Sequence, residues 1–341
     1  MRIYLYEMVS GGGALLPANI TRKDTCLSAL DDFHRIPSLV SDGSKMLEQL
    51  VQLFLRMPEM EVWVSVDSRL KDFGRKLQAM TNTRGESPMV LYADPSTPWA
   101  VFEECCRGAD KSLVIAPELA GLLDTAVGKC LIAGGDSLGA ARQLLKLGID
   151  KSSIHRWAEQ FGIPMPDWGL LENGAYSFQA DEIICKPLLG TGGVGICEEE
   201  SGLPVVGTWL LERKVAGVAV SVAAIVTAQG FTLLPPCYQH LGGEWGFEFQ
   251  GATLIEDGKH QQRVWRLAHH VFSKLPLENT RGWIGLDLIL GEKEGDDVLI
   301  EVNPRVTSTI EILNTLDAFV PYQSNRSTNV TELMLAAATG K

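Results

Sequence analysis

The run Val298-Leu299-Ile300-Glu301-Val302-Asn303-Pro304-Arg305 alternates apolar and oxygen-bearing side chains and then stops at a proline. Residues two apart on a strand point to the same face, so Glu301 and Asn303 project together while Ile300 and Val302 turn toward a core. A second run, Gly285-Leu286-Asp287-Leu288-Ile289, sets one carboxylate among apolar neighbours. Such a charge in a buried sheet is costly unless something cationic meets it. Two carboxylates and an amide oxygen are hard ligands suited to Mg²⁺ or Mn²⁺. Arg305, just past the strand, is placed to meet an anionic phosphoryl group bidentately. Read alone, the motif also fits a surface hairpin whose polar residues face water.

Working back along the chain, Ile183-Ile184-Cys185-Lys186-Pro187 reads as a strand that delivers a lysine to the mouth of Gly190-Thr191-Gly192-Gly193-Val194-Gly195. The glycine run matches G-x-G-x-x-G, but a dinucleotide fingerprint opens a helix, and Ile196-Cys197-Glu198-Glu199-Glu200-Ser201-Gly202 has no apolar helical face. Glycines leave backbone N–H groups free to approach phosphate oxygens, and a lysine beside them adds a point charge. The pair reads as a nucleotide-covering loop, and it is not a Walker A loop, since G-x-x-x-x-G-K-[ST] is absent from the sequence. Trp209-Leu210-Leu211-Glu212-Arg213-Lys214-Val215-Ala216-Gly217 is a strand entering a turn, and it gains meaning only from its place between the glycine loop and the acidic strands.

Further outward the texture has two parts. Strand-like runs at 2–6, 62–66, 89–92 and 112–116 alternate with helical segments such as 44–57, the pattern of a parallel α/β sheet. The spacing then predicts helices at 138–147 and 151–161, the second ending at Gly162-Ile163-Pro164. Beyond residue 165, strands at 183–187, 208–213, 218–227, 284–290 and 297–302 with a helix at 261–274 predict an α+β unit on antiparallel sheet. A polar, mobile tail at 324–329 and a short apolar helix at 331–338 complete the expectation.

At 341 residues the chain exceeds one hydrophobic core, which implies two or three packed units. A formal charge of −12 with no dense Lys/Arg run makes nucleic acid a poor partner. No apolar stretch is long enough for a bilayer and no leader pattern opens the chain, so a cytoplasmic protein with no membrane partner is expected. Seven cysteines without a C-x-x-C pair argue against a disulfide framework or a zinc site and fit small buried hydrophobes. His269 and His270 are adjacent rather than four apart, so they cannot hold one metal from one helix face, and no G-x-S-x-G occurs.

Taken in order, Asp150-Lys151, Lys186-Pro187 with the glycine loop, Leu211-Glu212 with Gly217 and Ser221, Asp287, and Glu301 through Arg305 resemble the ATP-grasp family of carboxylate–amine ligases. The resemblance implies an N-terminal α/β (pre-ATP-grasp) domain over 1–140, a subdomain over 141–215 with the glycine loop, and a second over 216–341 with the metal ligands. It implies ATP and Mg²⁺ or Mn²⁺, small-molecule carboxylate and amine substrates, and admits a homodimer. By the same likeness Lys151 and Lys186 bind phosphate, and Gly190, Gly192, Gly193 and Gly195 form the flap. Glu212 and Val215 belong to the adenine hinge; Asp287, Glu301 and Asn303 hold the metal; Lys186 and Arg305 offset charge in catalysis. Many members carry a ribose-binding glutamate where this chain has Ala219. Short runs at Tyr6-Glu7, Ser10-Gly11-Gly12, Ile115-Ala116-Pro117-Glu118, Tyr238-Gln239 and Asn303 through Thr309 are further similar to a subgroup that joins L-glutamate to tyramine. With glutamate as the acid, Arg305 and Glu118 are the expected contacts to its α-groups, and Tyr238, Gln239, Glu244 and Trp245 fall in a loop that reads equally as a cover for an aromatic amine or as plain packing. A carboxylase or carbamoyl-phosphate-type enzyme and a non-catalytic ATP sensor are the alternatives.

Overall fold

The computed structural model describes residues 1–13, 37–94, 96–118, 121–148, 150–188, 195–199, 202–243 and 246–340. Near the N-terminus, β1 (Arg2–Glu7), β2 (Glu61–Asp67), β3 (Met89–Ala93) and β4 (Lys111–Ile115) pair in parallel in the order β3-β2-β1-β4. Their apolar runs bury against helices. On α1 (Pro37–Leu55), Leu47, Leu50, Val51 and Phe54 form one buried stripe against Ile3, Leu5, Val64 and Val66. On the other face, α3 (Ala100–Gly108) and α4 (Leu122–Ile132) cover Tyr4, Tyr6 and Val114. The strand order reverses at β1, so a crevice opens at the carboxyl ends of β1 and β4, where Glu7 and Glu118 lie.

The helix expected at 138–147 begins only at Arg142 (α5, Arg142–Leu147). Residues 137–141 are extended instead: Ser137 bridges Ser112 in parallel, the Leu138 amide donates to Ser112 O at 2.8 Å, and the Ala141 amide donates to Thr280 Oγ1 at 3.0 Å. Hydrogen bonds to β4 thus outweigh local helical preference there. α6 (Lys151–Phe161) forms as expected, with the Asp150 side chain accepting from the Ser153 amide and Gly162 closing it in the left-handed region.

Two antiparallel sheets follow. The smaller has the order β5-β8-β6-β7, from β5 (Trp168–Glu172), β6 (Ile183–Pro187), β7 (Cys197–Glu198) and β8 (Thr208–Arg213). It closes over a core of Leu171, Ile183, Cys185 and Leu211. The larger runs β12-β11-β9-β13-β14, from β9 (Val218–Thr227), β11 (Cys237–Gly242), β12 (Glu248–Leu254), β13 (Gly282–Leu290) and β14 (Val298–Asn303), with β10 (Gly230–Leu233) paired to β9. α7 (Gly258–Phe272) packs Val264, Val271 and Phe272 on the face made by Val222, Ala224 and Ile284. α9 (Val330–Thr339) packs Met334 and Ala337 on the opposite face, near Ala223, Ile225 and Trp283. Residues 324–329 are tied down by paired Phe319–Thr328 backbone bonds and by Asn329, which caps α9. Among the described residues no helix is long and apolar enough to cross a membrane. Five of the six described cysteines are buried, Cys197 is half-buried, and Cys26 lies outside the described residues.

Candidate active site

The two antiparallel sheets face each other across a cleft of about 380 Å³, and Lys151, Lys186, Val215, Asp287, Glu301 and Arg305 all line it. Its floor is built by register. Asp287 on β13 stands directly opposite Glu301 on β14, and Asn303 stands opposite Gly285. Asn303 Nδ2 donates to Asp287 Oδ2 at 2.8 Å, while Gln239 Nε2 donates to Oδ1 at 2.7 Å. Burial, and the like charge of Glu301 beside it, push the Asp287 carboxyl up to about 6.

One expectation fails on this floor. The β13–β14 pairing shifts after Asp287, so that Leu288 meets Leu299 and Ile300 is the extra residue of a bulge. Val302 enters the core as expected, but Ile300 is half-buried and turns into the cleft.

The lysines arrive from the other side. The Asp150 cap fixes the start of α6, and Lys151, the first residue of that helix, sets its Nζ 2.5 Å from Glu301 Oε1. Burial works against the charge of Glu301, yet Lys151 holds its carboxyl below the ordinary value. Lys186, buried on β6, forms an ion pair with Glu212. Glu212 also bonds His155 Nε2 at 2.8 Å, and the His155 ring stacks on Trp168 with centroids 5.1 Å apart. Burial opposes ionisation of Glu212, but Lys186 and then His155 bring it down to about 2. Its carboxylate, at 3% exposure, is engaged by these two partners, and Glu212 and Val215 both line the cleft. Ala219, on β9, also lines the cleft. Gly190, Gly192 and Gly193 lie outside the described residues; Gly195 has φ +75°, and a Cβ there would stand 3.0 Å from Pro187 Cγ.

At the far end, Arg305 Nε lies 2.8 Å from Glu118 Oε1 without good alignment, and among the described residues its other nitrogens make long contacts, to Val306 O at 3.3 Å and Asn303 Oδ1 at 3.4 Å. Glu7, which accepts from the Val9 and Ser10 amides and from Ser10 Oγ, closes the crevice behind it. Burial raises both Glu7 and Glu118. Arg305 and Glu118 thus form an existing pair of opposite charges at this end of the cleft. Tyr238 departs from its expected place: it sits on the opposite face from Gln239, with its hydroxyl 2.7 Å from His260 Nδ1. Glu244 and Trp245 lie outside the described residues.

Among the described residues no three His, Cys, Asp or Glu side chains gather as a metal cluster. The donors are instead two facing carboxylates with amides around them, an oxygen-rich set whose crowded negative charge suits a hard divalent cation. Two contributors lay beyond the sequence reading, His155 and the reach of Gln239 to Asp287; Ser221, read there only as part of the family motif, is a buried hydroxyl with no hydrogen-bond partner among the described residues. Only His155 carried a signal, since it lies four residues after Lys151 on one helix face.

A lysine-bearing sheet closing over an acidic sheet is the architecture of an ATP-grasp domain, and the sequence pattern of that domain matches residues 149–309. That match takes in a little under half of the chain and lies behind the parallel α/β unit. A protein assigned to the ATP-grasp superfamily from Archaeoglobus fulgidus is similar in fold, with TM-score 0.66 and 17% identity, covering 99% of this chain and 88% of that one. N5-carboxyaminoimidazole ribonucleotide synthetase from Thermotoga maritima gives 0.59 and 14%, covering 99% and 76%. L-amino acid ligase from Bacillus licheniformis gives 0.61 and 12%, covering 100% and 74%. Among curated proteins, none matches the sequence significantly.

Proposed function

We propose that the protein is an ATP-dependent ligase that joins a carboxylate to an amine through an acyl phosphate. The observation that carries this reading is the convergence of Lys151, Lys186, Asp287 and Glu301 on one cleft. A bound divalent cation would neutralise phosphate charge at Asp287, Glu301 and Asn303. The chain's own residues supply the rest. Lys151 and Lys186 turn from their glutamate partners toward phosphate oxygens, so the charge they need is already poised in the cleft. Arg305 faces the transferring group from the acceptor end, and the apolar residues Ile184, Ile289 and Ile300 keep water from that path. The amine then attacks the activated carbonyl and phosphate leaves, with no covalent enzyme nucleophile required.

The finer reading is L-glutamate, activated at its γ-carboxylate, and tyramine, as in the tyramine–L-glutamate ligase of methanofuran biosynthesis. It is supported by the local runs around Glu7, Glu118 and Arg305, which meet in one crevice. The test is ADP release from ATP with Mg²⁺ or Mn²⁺ across a panel of acids and amines, followed by product mass. Release that needs both an acid and an amine is expected. Dependence on bicarbonate instead would indicate a carboxylase, and nucleotide binding without turnover in any combination would refute the ligase reading.

A further inference from the structure

The Ser221 hydroxyl stands out on the floor of the cleft. Ser221 lies on β9, is 5% exposed, lines the cleft, and its Oγ has no hydrogen-bond partner. A buried hydroxyl left unpaired destabilises a fold, and an alanine would fill the position without that cost. Its neighbours on the same face, Gly217 and Ala219, are small, so the surface there is cleared for something else.

The surroundings of Ser221 are also unusual. β9 lies between β11 and β13, and Ser221 pairs with Cys237 on one side and Asp287 on the other. Adjacent strands are about 4.8 Å apart, so the Gln239 side chain must cross the whole of β9 to donate from Nε2 to Asp287 Oδ1. The Gln239 side chain thus reaches across β9, the strand that carries Ser221, and Asp287 accepts from the Gln239 and Asn303 amides. A cation drawn to Asp287 would compete with this amide for the carboxylate oxygens and for the space in front of them.

We infer that Gln239 is a placeholder for the cation on Asp287, and that its departure uncovers the Ser221 hydroxyl, which then donates to an oxygen of the cation–triphosphate. The inference rests on the nucleotide-binding reading of the cleft. It assigns Ser221 to direct nucleotide contact and Gln239 to positioning, and it explains why a residue unsatisfied in the free protein occupies this place.

The test uses the full chain, MgCl₂ and a non-hydrolysable ATP analogue with an imido β–γ bridge, with Kd and thermal midpoint as readouts. Ser221→Ala should have a nucleotide-free midpoint equal to or above that of the unaltered protein, by up to about 2 °C, because an orphan hydroxyl is removed. The same variant should bind the analogue about tenfold more weakly and show a smaller ligand-induced midpoint shift. Gln239→Met should bind the analogue at a several-fold lower Mg²⁺ concentration, since no amide has to leave. Unchanged analogue affinity in Ser221→Ala, or a lowered nucleotide-free midpoint, overturns the role of Ser221; an unchanged Mg²⁺ requirement in Gln239→Met overturns the placeholder. If the unaltered protein itself shows no analogue-induced shift, the nucleotide-site reading fails first, and the two failures are distinguished.

Discussion

Replacing Glu212 by Gln removes the one carboxylate that faces both Lys186 and His155, and the consequence can be worked out as a function of pH. Glu212 is 3% exposed, and its folded pKa of about 2 lies below the ordinary 4.5. Breaking a buried pair by removing one partner costs about 3–5 kcal/mol, which is the gap expected between the two proteins near neutral pH. A carboxylate with a depressed folded pKa stabilises fully above its unfolded value, and that contribution is lost as pH falls toward the folded one. At about pH 3.5, one unit below 4.5, the unaltered protein has lost about 1.4 kcal/mol through this group, while the variant has nothing there to lose. The gap should therefore narrow by that amount. Urea unfolding followed by tryptophan fluorescence, near pH 7 and near pH 3.5, measures it. Repeating both arms in a His155→Gln background separates the Lys186 partner from the imidazole. A gap that stays constant or widens on acidification would refute the claim that Glu212 is held ionised by Lys186.

Asp287→Asn and Glu301→Gln should each abolish ADP release while leaving circular dichroism unchanged, since both side chains line the cleft rather than the core; turnover at the original rate in either would remove it from the proposed cation site. Gly217→Ala should destabilise by about 2 kcal/mol, because φ is +155° and a Cβ would collide with Leu290 O; a thermal midpoint equal to that of the unaltered protein would contradict this. Asp150→Ala should cost about 1 kcal/mol as a lost helix cap and raise KM for ATP by loosening Lys151, with stability and KM measured on the same preparation.

The parallel sheet was legible because β1, β2 and β4 are short apolar runs that punctuate amphipathic helices, a pattern with few other physical solutions. The acidic floor was legible because alternation on a strand fixes which side chains share a face. β5, β11 and β12 were not read: Cys237–Gly242 and Glu248–Leu254 carry glycines and charges and pair through an irregularity at His240/Leu241. The ion pairs were out of reach for a different reason. Lys151 and Glu301 are 150 residues apart in the chain, and nothing in local spacing says which lysine a glutamate will meet. The misread helix start at 138 has the same origin, since Ser112 and Thr280 supply its hydrogen bonds from distant segments.

The bulge at Ile300 has a consequence for how such a cleft can diversify. Leu299 and Val302 stay in the core, and Glu301 and Asn303 stay over the floor, with that residue counted as a pure addition to the strand. A supernumerary position of this kind can change in size or polarity without shifting the frame of the side chains on either side. It gives the protein one adjustable wall beside a fixed set of charges, so changes in ligand fit can accumulate at residue 300 while the chemistry at 301 and 303 is left untouched.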